Sequence, residues 1–481
     1  MAASTSALAA TVWSYAQTWI ARCTGLLFFL VLARLLGPAD FGAFAIAALV
    51  LALAETVFDQ GLATALIQRE QLRQSHLDAA FWGALAMGLL LALGAAGVAR
   101  PLARWFDKPL IATLMLALAP VFLLMALTLL PAAKLRRDLN YQGLARRALW
   151  ANLLAGGAAV LVAAQGLGAW AFVANQWTYQ TISLVVLWRS ESRRPRWRFS
   201  ASCFLELFEF SSRACATRVL DYAEARALEF WVAQHLGLGV LGQYHFASRN
   251  AQAGQQLVAG PVWDSALGIL SRLQAQDQLL KEHVLRLLTA SAWIAFPPLA
   301  FAVATAPILV PLLFGEKWQA SVGCLQILLA LVVLRTPLFL LGVAMQARGF
   351  AGTSLELTAL RVACALAVVL VFLPRDLGAA ALVLFSVQGL NAVFVLAAAR
   401  SRLGLPMVET CGALLAPVVF CAAGAALVAV AMQQLVWRGW ALLLALGVAY
   451  TFLWALLALP VARRLRTRPS GGVRSNPEPG A

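Results

Sequence analysis

The stretch "LLGPADFGAF", Leu35 to Phe44, is answered 200 positions later by "HLGLGVLGQYHF", His235 to Phe246. At that offset Leu36 falls on Leu236, Gly37 on Gly237, Phe41 on Leu241, Gly42 on Gly242, Phe44 on Tyr244 and Ala47 on Ala247, giving L-G-x4-G-x-[FY]. Each copy closes one long apolar segment and opens the next. The pattern therefore reads as a tight interhelical turn, in which glycine supplies backbone freedom. Asp40, with Val240 at the equivalent position, reads as a local cap of its turn.

The surrounding composition makes this a membrane protein. Hydrophobic residues make up 62% of the 481 positions, charged residues 12%, and the mean hydropathy is +0.80. No soluble domain covers such a surface with polar groups. A spanning helix needs roughly 20 apolar residues. About fourteen such stretches run at 11–36, 41–67, 79–99, 109–133, 147–165, 168–188, 212–234, 241–264, 285–313, 318–346, 353–373, 378–399, 411–434 and 440–460. The N-terminal residues lack a basic signal region, and the first segment reads as a retained helix. The first glycine turn joins helices 1 and 2 and the second joins helices 7 and 8. An even number of spans between them makes the halves parallel repeats related by an axis along the membrane normal. The expected fold is an all-α polytopic protein of two six-helix bundles with a cavity between them, plus two C-terminal helices. The expected divisions are 1–190, a basic linker at 191–211, 212–402, helices 13 and 14 within 403–464, and a disordered tail at 465–481.

The net charge of +16 is distributed rather than clustered in a soluble patch, so nucleic acid is not an expected partner. With the N-terminus inside, the inner loops and tail hold 24 of the 37 Lys and Arg, a strong positive-inside signal. Both termini are then cytoplasmic. "KLRRDLNYQGLARR" (Lys134 to Arg147) and "RRPRWRF" (Arg193 to Phe199) face anionic headgroups on that side. Trp105, Trp150, Trp170, Trp318 and Trp437 fall at span ends and read as interfacial anchors. The seven cysteines are scattered, without metal-ligand spacing, and no metal is expected.

"ARLLGPADFGAFAIA" followed by "DQGLATALIQRE" (Asp59 to Glu70) resembles the opening of the bacterial polysaccharide export proteins. These are oligosaccharide flippases of the multidrug/oligosaccharidyl-lipid/polysaccharide exporter superfamily. "QGLGAWAFVANQ" (Gln165 to Gln176), "LGVLGQYHFASR" (Leu238 to Arg249) and "FGEKW" (Phe314 to Trp318) are similar to later signposts of that family, in order. The subgroup it resembles is the colanic-acid-type lipopolysaccharide exporters. The resemblance implies a multidrug and toxin extrusion-like fold in the bacterial inner membrane. It implies translocation of undecaprenyl-pyrophosphate-linked oligosaccharide repeat units for surface polysaccharide: exopolysaccharide, capsule or lipopolysaccharide. Partners would be the lipid-linked oligosaccharide, membrane lipids, and a polysaccharide polymerase with its export machinery. Glu229 and Ala233 stand where the family pattern leads one to expect Asp and Gly.

Charges within spans carry the candidate chemistry, because each costs about 2.5 to 3.5 kcal/mol at the bilayer centre. A pyrophosphate needs cationic donors and a glycan needs a wet, aromatic-lined path. Arg22, Arg226, Arg249, Arg335 and Arg361, with Tyr222 and Tyr244, are the substrate-binding candidates. At 1.5 Å of rise per residue, Arg22 and Glu55 lie at about the same depth and can pair. Glu229 has two candidate partners, Arg226 along its helix and Arg249 across from it. Helix 7, "SSRACATRVLDYAEARALEFWVAQHLG", is the most polar span. A carboxylate in a cavity can bind H+ or Na+ and so favour one facing. Glu55, Asp59, Asp221 and Glu224 are the ion-coupling candidates, and no other cofactor is expected.

No phosphate-binding loop, zinc-protease motif or nucleophile elbow occurs, and the chain reads as a transporter rather than an enzyme. The alternative is a multidrug cation antiporter of the same fold. Its cavity should be acid-rich, and five central arginines argue against it.

Overall fold

A computed structural model describes residues 2–58, 63, 66, 73–138, 140–189, 195–196, 199–258, 266, 269–271, 273–274, 276–372, 376–434 and 440–467. Asp59, Trp437 and the tail beyond 467 lie outside the described residues. The described chain is helical, with no strand. The helices are α1 (Ala2–Leu35), α2 (Pro38–Phe58), α3 (Gln74–Trp105), α4 (Pro109–Arg137), α5 (Tyr141–Ala164), α6 (Trp170–Arg189) and α7 (Ala201–Leu236). They continue as α8 (Leu238–Val258), α9 (Asp277–Phe314), α10 (Val322–Ala347), α11 (Ala351–Phe372), α12 (Leu377–Leu403), α13 (Met407–Gln434) and α14 (Trp440–Thr467). Each expected span has its helix, and ten of the described segments are long and apolar enough to cross a membrane. The α4 span is interrupted between Leu118 and Val121, where Pro120 cannot donate an amide hydrogen.

The chain forms two compact units: Met1–Phe246 with Leu313–Trp318, and Ala247–Leu312 with Gln319–Ala481. In the first unit, the two glycine turns are packed directly on one another. A Cβ built on Gly42 would fall 1.8 Å from the Leu238 carbonyl oxygen, and one built on Gly242 would fall 1.8 Å from the Pro38 carbonyl oxygen. The two contacts are the same contact seen from each repeat, since 38 and 238, like 42 and 242, are equivalent positions. Only glycine lets helix backbones come this close, through reciprocal Cα–H···O contacts. The expected backbone freedom applies at Gly237, with φ of +85°. Gly42 and Gly242 serve close approach instead.

The "FGEKW" segment completes this corner. The last carbonyls of a helix have no intrahelical partner. At the end of α1, Trp318 Nε1 donates to Ala33 O at 2.8 Å and Lys317 Nζ to Arg34 O at 2.7 Å, while Gln243 Nε2 donates to Lys317 O at 2.8 Å. Trp318 stacks on Phe246 at 4.2 Å and meets Phe41 edge-on at 5.0 Å. Asp40 caps its turn by accepting from Gly37 N at 3.0 Å. Trp318 is 0% exposed, which corrects its reading as an interfacial anchor; Trp105, Trp150 and Trp170 remain exposed.

At the other end of this unit, Asp78 is buried and accepts from Gln74 Nε2 at 2.9 Å and from Arg196 N at 3.0 Å, while Trp82 Nε1 donates to Arg196 O at 2.9 Å. The basic linker is thereby tied to the first turns of α3. Residues 201–211, expected in that linker, are helical, because Ser200 caps α7 by accepting from Cys203 N at 3.4 Å. Hydrogen bonding to Ser200 and then Ser75 lowers the Cys203 thiol below its usual pKa.

In the second unit, Ala266, Leu288, Leu340 and Ala344 centre one core cluster, and Trp293, Phe420 and Tyr450 centre another. Arg348 Nη2 donates to Asp277 Oδ1 at 2.7 Å, joining the segment after α10 to the start of α9.

Candidate functional site

Residues 222, 226 and 229 are spaced i, i+4 and i+7, so they share one face of α7. On that face the Arg226 guanidinium carbon lies 5.3 Å from the centroid of the Tyr222 ring. Arg226 Nη1 also donates to Glu229 Oε1 in an ion pair one helical turn on, with the two side chains 25% and 4% exposed. Tyr222 donates its hydroxyl to Leu49 O, which fixes this face of α7 against α2. Tyr244, buried on α8, lies within electrostatic reach of Arg226, and Glu55 of α2 within reach of Tyr222. One cluster in the first unit therefore gathers Glu55, Tyr222, Arg226, Glu229 and Tyr244.

The pair is hydrogen-bonded through one atom of each partner only. Arg226 Nε and Glu229 Oε2 are buried, and neither has a hydrogen-bond partner among the described residues. A buried ion pair is stabilising only when its remaining atoms are satisfied, and removing one partner costs about 3 to 5 kcal/mol. Two polar atoms of this buried pair are thus left unsatisfied among the described residues.

Of the other sequence candidates, Arg22 is half-buried on α1 and Glu55 is exposed on α2, and each has polar neighbours. Arg249, Arg335 and Arg361 belong to the second unit. There Arg335 Nε donates to Gln388 Oε1 at 3.3 Å, with Gln388 buried on α12. Arg249 is exposed on α8 and Arg361 half-buried on α11. Asp221 and Glu224 lie on α7, but their side chains, like Asp59 as a whole, fall outside the description. Gln388 was missed by reasoning on charge alone. An amide in the middle of "LVLFSVQGLNAVF" was the available signal, since a polar group there needs a partner. No group of three or more metal-ligating side chains occurs among the described residues.

Ten described segments long and apolar enough to cross a membrane, with a repeated corner and a polar face on α7, define a multi-pass helical membrane protein. The fold is that of lipid II flippase MurJ in an inward closed conformation, with TM-score 0.76 and 12% identity over 94% of this chain and 100% of that one. An inward-facing multidrug resistance MATE family transporter matches with TM-score 0.62 and 15% identity over 81% and 98%. Residues 31–323 match the polysaccharide biosynthesis protein family, and the chain belongs to that family. Among its relatives are the succinoglycan biosynthesis transport protein ExoT of Rhizobium meliloti, 28% identical over 60% of this chain and 58% of the relative. The lipopolysaccharide biosynthesis protein WzxC of Escherichia coli is 24% identical over 67% and 66%. The teichuronic acid biosynthesis protein TuaB of Bacillus subtilis is 22% identical over 59% and 59%. The aligned stretches span less than two thirds of each relative.

Proposed function

We propose that the chain moves undecaprenyl-pyrophosphate-linked oligosaccharide repeat units from the inner to the outer leaflet of a bacterial inner membrane by alternating access, as a transporter and not an enzyme. The observation that carries this reading is the cluster on α7: a chain of the polysaccharide biosynthesis family sets arginine, tyrosine and carboxylate together on one helix face. Arginines among the five candidates suit the pyrophosphate, and the polar and aromatic groups of the cluster suit sugar rings. The names of the relatives, which concern succinoglycan, lipopolysaccharide and teichuronic acid, support a surface polysaccharide as the end product. On this reading Arg22, Arg226, Arg249, Arg335 and Arg361 serve the anionic and glycan parts of the cargo. A proton or Na+ on Glu55, Asp59, Asp221 or Glu224 couples the cycle, and a polymerase receives the product. The parallel six-helix halves with two appended helices belong to the same proposal.

Leaflet transfer in proteoliposomes is the direct test, and the absence of transfer with every lipid-linked glycan of the source organism would overturn it. Substituting the five arginines singly with Gln is expected to lower polymer export about tenfold or more in at least one variant, the loss expected from one charge-assisted hydrogen bond of about 1.5 to 3 kcal/mol. Full export in all five would remove arginine capture from the mechanism.

Orientation has its own test. In a variant retaining Cys203 as its one cysteine, a membrane-impermeant maleimide is expected to label inverted vesicles and spare intact cells. The rate should reach its plateau at a lower pH than for an unperturbed thiol, because the lowered pKa yields thiolate earlier as pH rises. Labelling from the cell exterior would reverse the assigned topology.

A further inference from the structure

The Arg226 and Glu229 pair, rather than adding a free cation to the site, carries the donor and acceptor set for a hydroxylated ligand. Its charges cancel, so it offers a pyrophosphate little net attraction, and an approaching phosphate would be repelled by the carboxylate as it was drawn by the guanidinium. Two buried atoms of the pair, the donor Arg226 Nε and the acceptor Glu229 Oε2, have no hydrogen-bond partner among the described residues. A phosphate dianion supplies acceptors only and leaves Glu229 Oε2 unsatisfied. A sugar hydroxyl both donates and accepts, and two neighbouring hydroxyls of a pyranose ring can answer both atoms together. The aromatic face beside the pair is that of Tyr222, 5.3 Å from the guanidinium carbon, and Tyr244 lies within electrostatic reach of Arg226. Tyr222 is itself anchored to Leu49 O, so the arginine is presented in a fixed orientation.

We propose that Arg226 and Glu229 form a glycan-recognition element, reading adjacent sugar hydroxyls of the cargo and not its pyrophosphate. This rests on the transport reading given above. In the conformation described here both orphan atoms are closed off, and each buried polar atom left without a partner costs stability. The conformation that uncovers them is the one that binds the sugar. Specificity follows the same asymmetry: a site built to hydrogen-bond a hydroxyl discriminates strongly against an analogue lacking it, because its own polar groups are left bare.

The test uses the full chain in proteoliposomes and three probe classes. These are polyprenyl pyrophosphate without sugar, the same lipid bearing glucose, galactose or N-acetylglucosamine, and the O-methylated forms of those glycolipids, which keep the ring and its acceptor oxygens, gain a methyl at each and lose the donors. The wild-type chain is expected to move at least one hydroxylated glycolipid about tenfold or more faster than its O-methylated form. In R226L/E229L, where two apolar side chains replace the pair, that ratio is expected to fall to about one, whatever the absolute rates. In E229Q the cation is no longer compensated, and preference is expected to shift toward the sugar-free pyrophosphate. The proposal is overturned if the wild type does not distinguish hydroxylated from O-methylated cargo, if R226L/E229L keeps the ratio or moves nothing, or if E229Q matches the wild type on every probe. A wild-type chain that moves none of these probes and no lipid-linked glycan of the source organism overturns the transport reading, and this proposal with it.

Discussion

Gly42→Ala is expected to lower the stability of the purified chain by about 3 kcal/mol, the upper part of the range for an overpacked contact. The added methyl would sit 1.8 Å from the Leu238 carbonyl oxygen, a backbone atom that cannot rotate aside, and α2 would have to retreat from the start of α8. Gly242→Ala is expected to do the same through the Pro38 carbonyl oxygen, also at 1.8 Å. The double variant should cost less than the two single changes added together, because one separation of the helices relieves both clashes. Gly25→Ala and Gly94→Ala are the controls. Each sits inside a helix with nothing within 4 Å of its built Cβ, and each is expected to be neutral or stabilising by up to about 1 kcal/mol. Unfolding midpoints in detergent check all five proteins. A Gly42→Ala midpoint equal to that of Gly25→Ala would contradict the close crossing.

The two corners also show how far sequence carries this fold. The all-helical, many-span architecture and the repeated corner with its offset were legible because a bilayer imposes a fixed apolar length and because L-G-x4-G-x-[FY] recurs in register. That the two turns meet, with one glycine of each at the crossing, was not legible. A glycine in a turn and a glycine at a crossing look alike in sequence, and only the distance to a neighbouring backbone separates them. Helix 7 was similarly half-readable. The polar face and the Arg226 to Glu229 spacing are visible in "RALE", and the structure makes that pair. The orphan atoms of the pair, the cation–π contact with Tyr222 and the anchor at Leu49 O depend on rotamers and on a second helix, which periodicity does not encode. Trp318 marks the opposite error. A tryptophan at a span end is ordinarily an interfacial anchor, yet here the chain folds back and buries it.

Trp318→Ala is therefore expected to be among the most destabilising single changes in the first unit. Truncating a buried tryptophan costs about 3 to 5 kcal/mol. Here the side chain is fully enclosed, stacked on Phe246 and edge-on to Phe41, and its loss also strips Ala33 O of a donor at the end of α1. Trp318→Phe separates these contributions. It keeps an aromatic ring in the cluster, loses the Nε1 hydrogen bond and part of the volume, and is expected to cost less than half as much as the alanine change. Lys317→Met provides the surface comparison, since Lys317 caps the next carbonyl, Arg34 O, from an exposed position. Its cost is expected to stay within about 1 kcal/mol, because water replaces an exposed hydrogen bond at little loss. Hydrogen exchange at the amides of α2 and the start of α8 should rise in Trp318→Ala and stay near wild type in Lys317→Met. Equal unfolding midpoints for Trp318→Ala and Lys317→Met would show that the aromatic cluster is not what holds the corner, and would leave the glycine crossing as its main support.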